Sequence, residues 1–153
     1  MKGRFALLAL ATCFVGATVC LAADNFTGTW KLNEAKSKLA GSTKNTTVVY
    51  EAAGEMTKVT VDGVDAEGKA THNEWTGKFD GKEYAVTGDA TSDKRSYKKV
   101  NDRTLTFAAT KDGKTTLSGR IEVSADGKSR TVTTNATDSS GKKVTNVAVY
   151  DKQ

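Results

Sequence analysis

From Asn25 to the C-terminus, apolar and polar residues alternate with a period of two. Gly28, Trp30 and Leu32 share one face of Thr27–Leu32. Leu105, Phe107 and Ala109 share a face of Arg103–Ala109, with threonines on the other. Leu117, Gly119, Ile121 and Val123 align in the next segment, and Arg130, Val132, Thr134 and Ala136 in the one after. This periodicity marks strands that bury one face. Thr and Val dominate these segments, and both favour a pleated sheet.

The breaks between segments are regular. Glu67-Gly68-Lys69, Asp80-Gly81-Lys82, Asp112-Gly113-Lys114, Asp126-Gly127-Lys128 and Ser140-Gly141-Lys142 each place Gly where a tight hairpin needs positive φ. Hairpin after hairpin predicts an all-β, antiparallel up-and-down meander of about ten strands. They are expected near Thr27–Leu32, Thr46–Ala52, Met56–Asp62, Lys69–Thr76, Glu83–Thr87, Lys94–Val100, Arg103–Lys111, Thr115–Ser124, Arg130–Thr137 and Val144–Tyr150. One short helix is expected at Glu34–Leu39, capped by Asn33. Closure into a β-barrel removes the exposed edges of such a sheet. Large aliphatics are sparse, which suits a barrel with a cavity better than the competing β-sandwich.

The first residues read differently. Lys2 and Arg4 precede an apolar run from Phe5 to Val19, and Cys20-Leu21-Ala22-Ala23 supplies small residues before Asp24. This is the pattern of a signal peptide over residues 1–23, leaving a single domain at 24–153. The run is short for a membrane span, so no integral span is expected after cleavage. A lipoprotein anchor at Cys13 is the minor alternative. Secretion, or export to the periplasm of a Gram-negative bacterium, follows as the expected location.

Composition narrows the chemistry. Both cysteines, Cys13 and Cys20, leave with the leader, and a single His remains. No Cys/His metal site and no disulfide can be built from that set. Removing Lys2 and Arg4 from 23 basic residues leaves 21 against 18 acidic ones, with no basic stripe for nucleic acid. The acidic turn Asp62–Gly68 lacks EF-hand spacing. Three Asn-x-Thr triplets are explained by the abundance of Thr. No nucleophile elbow or phosphate loop accompanies His72, so no enzyme and no cofactor are expected.

The opening Asn25-Phe26-Thr27-Gly28-Thr29-Trp30-Lys31-Leu32 resembles the first strand of the calycins, the superfamily of lipocalins and fatty-acid-binding proteins. Gly28–Asn33 with Ala35–Lys38 is also similar to small secreted bacterial proteins of unestablished function. The resemblance implies a lipocalin or fatty-acid-binding-protein-like barrel in which Gly28 and Trp30 are structural and Trp30 plugs one end. It implies a small apolar or amphipathic ligand. The Arg-x-Tyr of the fatty-acid binders has only its Tyr here, Tyr150, with Ala148 in the Arg position; an Arg-x-Tyr stands instead at Arg95-Ser96-Tyr97.

Candidate ligand contacts are Arg95, Tyr97, Arg130, Tyr150 and Trp75. Alternation puts Arg95 and Tyr97 on one face without saying which. Trp75 faces in, or else His72 and Glu74 do. Arg130 points inward near a barrel mouth, where it can hold a carboxylate, or snorkels at its strand end. The competing functional reading is a protein-interaction module of the cell envelope, an inhibitor or assembly subunit with no cavity.

Overall fold

The structure is a computed structural model that describes residues 24–137 and 140–153; the leader expected at 1–23 lies outside the described residues. Ten strands run in order: β1 (Gly28–Leu32), β2 (Lys44–Ala53), β3 (Met56–Val64), β4 (Ala70–Gly77), β5 (Asp80–Thr87), β6 (Lys94–Asn101), β7 (Thr104–Lys111), β8 (Lys114–Val123), β9 (Ser129–Thr137) and β10 (Lys143–Lys152). Each pairs antiparallel with its neighbours, and β1 pairs with both β2 and β10 to close the barrel. Trp30 sits opposite Val48 on one side and Lys152 on the other. A sandwich is thereby excluded.

Most hairpins turn where the sequence places Gly, as at Gly127 (φ 69°), which holds the left-handed conformation that a Cβ disfavours. The turn expected at Asp80-Gly81-Lys82 falls earlier, at Lys78-Phe79; Gly81 (φ 83°) lies inside β5, where the register with β6 shifts between Asp80 and Glu83 and its positive φ serves the irregularity. The helix, by contrast, is only a 3-10 turn at Glu34–Lys36, with the Asn33 side chain accepting from the Lys36 N–H. It stops there because the next residues are drawn to β10. Ser37 Oγ accepts from Val149 N at 2.9 Å, and Lys38 pairs with Val147 through two backbone hydrogen bonds.

The two barrel ends differ. The end bearing the β2–β3, β4–β5, β6–β7 and β8–β9 turns is the floor. Phe26, Trp30, Tyr50 and Trp75 are almost wholly buried there, and Phe79 from the β4–β5 turn packs among them. Phe79 lies 6.1 Å from Phe26, 6.5 Å from Tyr50, 6.3 Å from Trp75 and 5.8 Å from Tyr97 by ring centroids. Edge-to-face and offset contacts of this kind add to what the buried area contributes. Trp30 donates its indole N–H to the Phe26 carbonyl at 2.8 Å, so the plug is satisfied without water. Gly28 begins β1 at φ 122°, and a Cβ there would lie 2.9 Å from Lys152 Cε.

One seam of the ladder is thin. Only Glu74–Thr87 and Trp75–Val86 pair between β4 and β5. Aromatic rings fill the split: Tyr84 meets Trp75 edge-on at 5.8 Å and donates its hydroxyl to Asp80. Both rings lie over Gly77, where a Cβ would stand 2.5 Å from the Trp75 ring and 2.6 Å from that of Tyr84. Gly77→Ala should therefore destabilise the barrel by about 1–3 kcal/mol through overpacking. Urea denaturation checks it, and an unchanged midpoint would show that the seam can relax.

Candidate functional site

The inward face carries all five candidate contacts. Trp75 and Tyr97 are buried on β4 and β6, Tyr150 on β10 and Arg130 on β9. The Arg95 side chain, on the same face as Tyr97, is 11% exposed. Alternation then puts His72 and Glu74 outside. His72 Nδ1 lies 2.6 Å from Asp62 and its ring neighbours Glu74, which Lys58 also holds. The hydrogen bond to Asp62 raises the His72 pKa above its ordinary value. This cluster decorates the outer surface and does not face the lumen.

Hydrogen bonding separates the five. Trp75 donates its indole N–H to the Arg95 carbonyl at 2.8 Å. Tyr150 donates its hydroxyl to the Asn45 carbonyl at 3.1 Å, and burial raises its phenol pKa. Arg95, near the rim, is neutralised: its Nη2 lies 3.0 Å from Asp89 Oδ2 and 3.4 Å from Asn73 Oδ1. Asp89 belongs to the β5–β6 loop, and it also accepts from Thr91 and from the buried Ser92. Burial raises the Asp89 pKa, but these donors and Arg95 outweigh it, so the net shift is downward.

Arg130 is the exception. It is 2% exposed, yet its Nε and Nη1 have no hydrogen-bond partner. Its guanidinium carbon lies 5.0 Å from the Trp30 ring, 5.0 Å from Tyr50 and 4.8 Å from Tyr150, which stands directly opposite it in the ladder. Three ring faces offset part of the cost of desolvating the cation, at about 0.5–2 kcal/mol each. They do not satisfy its N–H groups, and an unpaired buried charge is costly. Burial raises the Tyr50 phenol pKa, Tyr97 adds to that, and Arg130 counters only part of it, so Tyr50 stays a neutral phenol beside the cation. The other buried side-chain atom without a partner among the described residues, Asp93 Oδ1, belongs to the β5–β6 loop at the rim.

Above this aromatic floor the inner wall is less covered. Phe107, Leu117 and Val132 face inward but are only half-buried. An open depression of about 350 Å³ at the rim of β8, β9 and β10 is lined mostly by outward residues, among them Thr116, Ser118, Asn135 and Thr145, and so belongs to the outer face. The arrangement can hold an apolar group against the wall, and the floor beneath it encloses a guanidinium with two nitrogens that lack a partner.

No family model matches the chain, and no curated protein matches it. Among solved structures it is similar to EF1p2_mFAP2b bound to DFHBI, with a TM-score of 0.50 and 10% identity over 86% of this chain and 97% of that one. The fold is a closed, ten-stranded antiparallel β-barrel. At that identity the likeness concerns the fold alone.

Two residues that matter here carry no signal in the alternation. Asp89 lies in a loop, where no period constrains it. Phe79 sits in the β4–β5 turn, where an aromatic reads as incidental.

The Asp89–Arg95 pair generates a pH dependence. A carboxylate with a depressed folded pKa contributes stability that is fully present above its ordinary value, about 3.9, and lost as pH falls through the folded value. Amide exchange at Ser92 and Asp93 should therefore accelerate below about pH 4. Asp89→Ala should show fast exchange at neutral pH and cost about 3 kcal/mol by stranding Arg95. Equal exchange in the two proteins at pH 7 would contradict the clasp.

Proposed function

We propose that this protein is a secreted or periplasmic binding barrel for a small, partly apolar ligand, without enzymatic activity. The apolar part rests against the half-covered inner wall, and the polar end meets Arg130. The observation that carries this reading is the buried guanidinium with two unpartnered nitrogens, Nε and Nη1. A carboxylate or similar acid that reaches the guanidinium accepts from it and supplies the missing counter-charge. Arg95 has its acid already in Asp89, and the Tyr150 hydroxyl and Trp75 N–H are spent on backbone carbonyls. Tyr97 is buried among Trp75, Phe79 and Phe107. The leader pattern at 1–23 supports export. A similar barrel solved bound to DFHBI accords with a ligand-holding use of this shape.

The envelope-module alternative draws less support. Among the described residues the exposed large hydrophobics are Met56 and Val100, single side chains on β3 and β6. That gives a partner little apolar surface to grip.

Displacement of a fluorescent anilinonaphthalene sulfonate from the purified protein tests the proposal. Carboxylates with an apolar body should displace it, and their neutral amides should compete at least tenfold less well. Arg130→Met should abolish that difference while leaving thermal stability equal or higher, since a buried charge is replaced by an apolar chain. No dye binding, together with no co-purifying small molecule in native mass spectrometry, would remove the binding reading.

A further inference from the structure

The wall above the floor has a particular shape. Tyr97 and Phe107 are cross-strand partners whose rings stack at 5.7 Å with 30° between their planes. Trp75 backs Tyr97 edge-on at 4.7 Å and 66°. On its other side Phe107 faces Gly119, its partner on β8. A Cβ at that position would meet the Phe107 ring at 2.7 Å and the Thr133 carbonyl at 2.5 Å, so the ring rests on bare backbone. The next inward position at this depth is Thr134, opposite Gly119. Glycine and threonine are too small to cover the ring, and Phe107 stays half-buried although it points inward.

The consequence is a stacked pair of rings, fixed from behind by Trp75 and from one side by the Gly119 backbone, in which Phe107 keeps part of its surface uncovered. An aliphatic chain gains ordinary contact on such a surface. A flat ring gains the same burial and an offset-stacked contact as well, about 0.5–1.5 kcal/mol in a protein interior. It also loses less conformational freedom, because it has no chain torsions to freeze. We infer that the apolar part of the ligand is a planar aromatic ring that stacks on Phe107, in preference to a flexible alkyl chain. This rests on the binding reading above and specifies the class of molecule.

Two acids with eleven carbons each, 2-naphthoate and undecanoate, separate the possibilities when their dissociation constants are measured by calorimetry. The structure predicts that 2-naphthoate binds at least tenfold more tightly. Phe107→Leu keeps an apolar side chain and removes the ring; it should weaken 2-naphthoate about tenfold and leave undecanoate within about twofold. Gly119→Ala, which displaces the ring, should act in the same direction, and a thermal melt of each variant confirms folding. Tighter or equal binding of undecanoate overturns the inference while leaving the binding barrel intact. So does an equal loss of both acids in Phe107→Leu. Binding of neither acid overturns the inference together with the reading it rests on.

Discussion

Closure of the ladder at β1 is the constraint on which the rest depends. This strand has only five residues, yet it is hydrogen-bonded on both sides, and Gln153 N still reaches the Thr29 carbonyl beyond β10. Once the ring is shut, every second residue of ten strands faces one enclosed space. A polar group on that side cannot turn to solvent at an edge, so it must find a partner inside or remain unsatisfied. Trp30 follows from the same constraint: a closed tube has two ends, and its indole, held by the Phe26 carbonyl, seals one of them.

Inside that space two arginines meet opposite circumstances. Arg95 stands near the rim, where a loop can fold back and deliver Asp89. Arg130 stands at the floor, among Trp30, Tyr50 and Tyr150, whose polar atoms offer it no carboxylate. The rings that surround it also supply the bulk that a chain poor in large aliphatics otherwise lacks. The aromatic floor thus stabilises the barrel and leaves one cation without its counter-charge. That imbalance, inside a wall only partly covered by Phe107, Leu117 and Val132, is the physical basis for a ligand.

Much of this was legible in the sequence, for reasons that can be located. Alternation in β7 and β8 is unambiguous because one face carries Leu, Ile, Val or Phe and the other carries Thr, Ser or charged residues. The turns were legible because Gly supplies a backbone conformation other residues resist. β4 was not, since Thr71 and Asn73 on one face are as polar as His72 and Glu74 on the other, and Trp75 alone breaks the tie. Arg130 fits its alternation equally well inside or at a strand end; only closure, with Tyr150 directly across, decides it. The Asn33 cap was correctly placed, but local capping could not reveal that Ser37 and Lys38 serve β10. Ala148 showed only that the position of the fatty-acid binders' arginine carries no charge here, not that a guanidinium stands on the neighbouring strand.

The most direct test is nitrogen-15 NMR of the arginine side chains during titration with an apolar carboxylate. The account predicts that the Arg130 Nε–H resonance, protected from water in the free protein, shifts and saturates with added acid. Those of Arg103 and Arg120, on the outer surface, should stay where they are. An Arg130 signal that exchanges freely with water, or that does not respond to any carboxylate, would contradict the claim that the barrel encloses a cation awaiting its partner.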